Sequence, residues 1–218
     1  MNTNQTQAFT RTDLTAVVAT IGLLAVLCVR AQQEPDARAR SERIRCTSNL
    51  KQVGLGLRMW SNDHGDKFPM RVKAAQGGSF EAIARGETFR HFAAMSNELT
   101  RTKVLVCPSD DREPALTFAD LSNTNLSYFV GLDADETRPQ TILSGDRNLT
   151  NGLPRSSGVL GLEPDRPAGW TAEMHVEQGN IGLADGSVQQ VNVAALRRQI
   201  EASLKSVEPM AQRLQFPE

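Results

Sequence analysis

The sequence predicts an α+β fold: a long N-terminal helix, its first half membrane-spanning, whose second half packs on a small antiparallel β-sheet. Three observations carry this reading. Residues 14–29 (LTAVVATIGLLAVLCV) hold no charge and no proline. Cys46, Leu50, Val53, Leu57 and Trp60 recur at steps of three and four, which places them on one helix face. Asp185-Gly186 joins two runs of β-formers, where glycine accepts the positive φ of a tight hairpin turn.

The apolar run of about sixteen residues reaches ~24 Å at the helical rise, a little short of the ~30 Å of a hydrocarbon core. Thr15 and Thr20 are tolerated in it because a hydroxyl can bond back to its own helix. A cleaved secretory signal fits less well. The leader MNTNQTQA has no Lys or Arg, and Leu27-Cys28-Val29-Arg30 is not a small-x-small cleavage site. Residues 31–45 are rich in helix formers, with Glu34 and Arg38, and Asp36 and Arg40, at helical spacing; Pro35 is the only breaker and marks a kink. The helix stops at Asn62-Asp63-His64-Gly65-Asp66, with Gly65 as a left-handed cap and Pro69 preventing continuation.

Of 218 residues, one globular domain of ~150 remains beyond the helix, enough to bury a core. The 24 Lys and Arg against 25 Asp and Glu leave a net charge of -1 and no electrostatic case for nucleic acid. Aromatics at 5% argue against a stacking surface for bases or sugars. Three cysteines cannot make a disulfide scaffold. Cys28 lies in the apolar run; Cys46 and Cys107 permit one bridge, with free buried thiols the equal alternative.

Within the domain, 70–86 reads as loop and 89–99 as a short helix with Phe92, Met95 and Leu99 inward and His91 at the boundary or surface. A short strand at 104–107 closes on the turn Pro108-Ser109-Asp110-Asp111. Strands follow at 127–130 and 141–143, the latter ended by Gly145-Asp146. A long connection covers 148–165, with a hairpin at 158–162. A hairpin of 180–184 and 187–191 precedes an amphipathic helix over 193–204, and 209–218 reads as a flexible tail. The three histidines are scattered, and no HExxH, GxSxG, P-loop or paired CxxC motif occurs. His175 and Asp185 therefore read as parts of a hairpin, the histidine bonded to nearby backbone, in preference to a general base with its orienting carboxylate.

Ala8-Phe9-Thr10-Arg11-Thr12-Asp13, just ahead of the apolar run, resembles the processing and methylation site of type IV prepilins and type II secretion pseudopilins. Ala8 stands where that family usually has Gly, Asp13 where it has Glu, and Arg11 where it has an apolar residue. The resemblance implies cleavage by a prepilin peptidase between Ala8 and Phe9, with methylation of Phe9. It also implies a role for Asp13 as the carboxylate that meets another subunit's N-terminal amine during assembly. Cys46-x-x-Asn49-Leu50-Lys51-Gln52-x-Gly54 and His175-x9-Asp185-Gly186 are similar to two further signatures of pseudopilin-like proteins of planctomycete and verrucomicrobial type. Cys107-Pro108-Ser109-Asp110 resembles a third.

What this implies is a pilin-like fold: a leader over 1–8, a helix over 9–64 spanning the membrane at 14–29, an extracytoplasmic domain over 65–208, and a tail. The protein would be a non-enzymatic, single-pass subunit of the bacterial inner membrane. Its partners would be other pilin or pseudopilin subunits, prepilin peptidase and membrane lipid. No cofactor is implied, with calcium a lesser alternative because some pseudopilins brace a C-terminal loop with it; Asp146 and Asp185 are candidates by type. Arg30, Arg38, Arg40, Arg43 and Arg45 follow the run and only Arg11 precedes it, so the positive-inside rule would place the domain in the cytoplasm. The resemblance places it outside. Two rival readings are a membrane-tethered binding domain that never polymerises and an anchored hydrolase using His175 and Asp185.

Overall fold

The computed structural model describes residues 10–32, 34–208 and 210–218, with the side chains of 27–36 outside the description. The processing site, Ala8 and Phe9, lies outside the described residues. The chain divides into two units, Met1–Ser41 and Glu42–Glu218.

The first unit carries helix α1 (Arg11–Gln32) and the start of α2 (Glu34–Asn62). Thr10 and Asp13 close the N-terminus of α1 reciprocally: the Thr10 amide donates to Asp13 Oδ2 at 2.9 Å and the Asp13 amide to Thr10 Oγ1 at 3.3 Å. Thr15 and Thr20 donate back to the carbonyls of Thr12 and Val17, as expected of hydroxyls in an apolar helix.

Among the described residues, no helix is long and apolar enough to cross a membrane. This corrects both the pilin-like fold with a membrane-spanning first half and the single-pass inner-membrane placement. The uncharged run over 14–29 reaches ~24 Å as a helix, under the ~30 Å of a hydrocarbon core.

In the second unit α2 buries the face that its spacing marks: Cys46, Leu50, Val53 and Leu57 are fully buried, while Leu55 and Met59 on the opposite side are exposed. Each such side chain contributes roughly 1.5–3 kcal/mol relative to exposure. The helix ends as its sequence dictates, Gly65 taking a φ of 67° and His64 stacking on Trp60 with ring centroids 3.5 Å apart.

The sheet is larger than the small one expected. It has six antiparallel strands: β1 (Tyr128–Gly131), β2 (Ile142–Asp146), β4 (Val159–Leu162), β6 (Gln178–Leu183), β7 (Val188–Asn192) and β8 (Gln212–Gln215). Their order is β4-β8-β1-β2-β6-β7, and β3 (Leu149–Thr150) and β5 (Gly169–Trp170) pair separately. Alternation along β1 serves two cores: Tyr128 and Val130 join the α2 stripe, and Phe129 joins the opposite core with α5 (Val193–Lys205), which follows the short helices α3 (Ala82–Arg85) and α4 (Phe89–Ala93) in the chain. The sheet is therefore covered on both faces.

Several local expectations change. The 209–218 segment is no tail: β8 lies between β4 and β1, with Leu214 and Phe216 buried. Its alternating apolar residues are held by distant strands, so no turn beside it announces them. Residues 104–107 are not a strand; Thr102–Leu105 forms a 3₁₀ turn instead. The 158–162 stretch supplies β4, which pairs in register with β8. Gly145-Asp146 does not end β2 but continues it into pairing with Phe129 and Tyr128. His91, expected near the surface, is fully buried between Ser79 and Gln215.

Candidate functional site

Five polar side chains from distant segments converge under the sheet. α2 contributes Cys46 from its inward stripe. β1 and β2 contribute Tyr128 and Asp146, which are register partners. Cys107 follows the 3₁₀ turn, its amide fixed by Ser127 Oγ at 2.9 Å. His175 comes from the loop before β6, where Met174, Val176 and Glu177 all take positive φ. A β-branched residue such as Val176 at a φ of 49° is a genuine outlier, and strain of this kind persists only where surrounding structure imposes it.

His175 Nε2 lies 3.4 Å from Cys46 Sγ, 3.4 Å from Cys107 Sγ and 3.5 Å from Asp146 Oδ2. Cys46 Sγ is 3.4 Å from Asp146 Oδ1 and 3.5 Å from the Tyr128 hydroxyl. Asn180 on β6 orients the carboxylate, its backbone amide and Nδ2 donating to Oδ2 at 2.6 and 2.9 Å. None of these groups faces solvent: Cys46, Cys107 and Asp146 are 0% exposed and His175 1%.

Around the cluster, Arg147 stitches its loops together. It forms a two-pronged pair with Asp110, just after Cys107, at 2.9 and 2.7 Å, and reaches Glu173, just before His175, at 3.0 Å. Asn148 Nδ2 lies within reach of the Thr171, Glu173 and Gln178 carbonyls, bracing the same strained loop.

Burial and close contact shift every titration here. The hydrogen bond with Cys46 brings the Cys107 thiol down to about 6, with His175 helping and burial opposing. Burial pushes Cys46 up. Burial, reinforced by the Cys107 charge, lifts Asp146 to about 7. For His175 burial acts downward, yet the bond with Cys107 and the Asp146 charge outweigh it and raise the imidazole. A thiolate beside an imidazole can serve as a nucleophile pair, but these atoms are closed to solvent and to any substrate. The donor set suits holding a cation or sharing protons internally.

The residues singled out from sequence divide between this site and its supports. Cys46 and Cys107 are free thiols, both buried, with their sulfurs and His175 Nε2 all within 4.8 Å of one another. Asn49 Nδ2 donates to the Val106 carbonyl at 2.9 Å, tying α2 to the Cys107 segment. Leu50 is core, whereas Lys51 and Gln52 are exposed. An added Cβ at Gly54 meets nothing within 4 Å, so packing gives no reason for glycine there. His175 meets side chains through Nε2, not the nearby backbone expected of it.

Asp185 and Gly186 lie apart from the cluster, at the β6–β7 turn. Gly186 takes a φ of 86°, and Asp185 Oδ1 accepts from the Ser187 amide at 2.8 Å. The Asp185 carbonyl accepts from Arg58 of α2 at 2.7 Å. The two calcium candidates therefore sit in unlike surroundings, Asp146 buried among thiols and Asp185 exposed on a turn. Asp13 serves the first turn of α1, where two bonds from Thr10 hold its carboxyl below the usual range. Sequence reading missed Tyr128, Asn180 and Arg147, and named Asp110 only within a turn and a signature. The available signal was that three residues of types that can ligate a metal, Cys46, Cys107 and His175, each fall in a separate motif.

Comparison with known protein families, with curated proteins and with solved structures gives no match.

Proposed function

We propose that this chain is a structural, non-enzymatic subunit that assembles with other subunits through α1, in the manner of the pseudopilins its motifs resemble. The observation that supports this reading is the state of α1 itself. Leu14, Val18, Ile21, Leu23, Leu24 and Val26 are each more than half exposed. Contiguous apolar surface on this scale marks an interaction site, and its helical form suits a bundle of like helices better than a groove-bound peptide. Asp13, exposed in the first turn, is available to an amine of a neighbouring subunit. A prepilin peptidase would act on the Ala8-Phe9 bond before assembly. Catalysis is disfavoured because His175 is buried away from Asp185, leaving the hydrolase reading without its pair.

Intact mass and N-terminal sequencing of the native protein test the processing step. A mature chain beginning at methylated Phe9 is expected. A chain retaining Met1 would remove the prepilin part of the reading.

A further inference from the structure

We propose that Cys46, Cys107 and His175 form a closed site for one zinc-class divalent ion, with Asp146, beside Cys46, as the fourth ligand that completes it. The argument is geometric and does not depend on how α1 assembles. Zinc takes thiolate sulfur at ~2.3 Å, imidazole nitrogen at ~2.0–2.1 Å and carboxylate oxygen at ~2.0–2.2 Å in a tetrahedron. Those bond lengths put neighbouring ligand atoms roughly 3.3–3.6 Å apart for sulfur–nitrogen, sulfur–oxygen and nitrogen–oxygen edges. The observed edges are 3.4 Å from His175 Nε2 to each sulfur and 3.4 Å from Cys46 Sγ to Asp146 Oδ1.

The same separations make poor hydrogen bonds. At 3.5 Å an imidazole–carboxylate contact is too long to be a strong one. One nitrogen facing two sulfurs and a carboxylate has more neighbours than its single proton or lone pair can serve. The separations read as edges of a coordination polyhedron.

The outer groups fit as well. Asn180 occupies Oδ2 with two donors and leaves Oδ1, beside Cys46, for a metal. Such second-layer bonds fix ligand orientation in metal sites. Two soft thiolates and an imidazole select zinc over calcium or magnesium, and full burial of all four ligands describes a structural site with no open position for substrate. On binding, each cysteine releases its thiol proton to solvent, while His175 enters neutral and Asp146 as carboxylate. Two thiolates and one carboxylate against a dication leave one net negative charge, which the Asn180 N–H groups face.

The test uses the full chain, purified without chelator. Its metal content is measured, then cobalt(II) replaces the native ion and the absorption spectrum is recorded. One zinc per chain is expected, with a thiolate-to-cobalt charge-transfer band and the intense visible bands of tetrahedral cobalt. Cys107→Ser should cut the charge-transfer intensity by about half, and Asp146→Asn should weaken cobalt binding by about tenfold or more. If a variant fails to fold, the wild-type cobalt spectrum decides alone, since its band intensity reports how many thiolates bind. Metal-free protein that takes up no cobalt, a native Cys46–Cys107 disulfide, or an octahedral cobalt spectrum without charge transfer would each overturn the proposal.

Discussion

Cys46 Sγ and His175 Nε2 lie 3.4 Å apart although 129 positions separate them in the chain. A second contact, from Arg58 to the Asp185 carbonyl just past the other end of β6, lies twelve residues further along α2, from 46 to 58. The His-x9-Asp-Gly stretch is thus β6 with both ends fastened to α2, one inside the polar cluster and one at the hairpin turn. This gives the spacing of the motif a mechanical meaning: a change in length would unseat one end.

Arg147 is the residue whose loss should loosen the site without touching it. Its partner Asp110 has a side chain only 1% exposed, so Arg147→Ala leaves a buried carboxylate unpaired. A loss of about 3 kcal/mol in urea unfolding is expected. A loss below about 1 kcal/mol, the usual worth of a surface pair, would mean that Asp110 finds water instead.

The C-terminal strand makes a second prediction. Phe216 packs on Phe129 with ring centroids 4.9 Å apart and carries the Arg155 guanidinium at 3.7 Å. Phe216→Ala should cost about 3–5 kcal/mol, and truncation after Glu208 should prevent folding because it deletes a strand with partners on both sides. Circular dichroism with thermal melting reads both.

His91 gives a pH signature. Burial depresses its imidazole to about 4, so the folded state keeps it neutral while the unfolded chain, near 6.5, binds a proton. The unfolded state binds more protons between those values. Stability from this group is therefore complete above about pH 6.5 and falls by about 3 kcal/mol as pH drops toward 4. Wild type and His91→Gln, compared across that window by denaturant unfolding, should differ in slope; parallel curves would contradict the assignment.

Two glycines should respond with opposite signs. A Cβ at Gly131 would collide with the Ile142 carbonyl oxygen, so Gly131→Ala must part β1 from β2. Gly54 in α2 has open space, and Gly54→Ala should stabilise by about 0.5–1 kcal/mol through helix propensity alone. Melting temperatures of the two variants check both directions.

Local periodicity made much of this fold legible. The α2 stripe, the Gly65 stop, β1, the Asp-Gly turn and α5 all follow from spacing and turn chemistry within a few residues. Where partners are remote, the reading fails. Leu214 and Phe216 look like a loose end until β1 and β4 close on them, and His91 looks like a boundary residue until Gln215 arrives from the far terminus. The site behaves the same way. Cys46, Cys107 and His175 stand out singly as motif residues, but only sheet pairing brings Asp146 and Asn180 beside them. The length of the apolar run suggested a membrane span that the described helix does not provide.

Assembly through α1 is the central claim, and disulfide cross-linking of the full chain tests it most directly. Single cysteines would replace Leu14, Val17, Val18, Ile21 and Leu24 in turn, in a Cys28→Ser background, with Cys46 and Cys107 buried and out of reach. Packing against like helices predicts cross-linked species at a subset of positions with helical periodicity. Monomer at every position, at concentrations where the native protein is recovered intact, would contradict it.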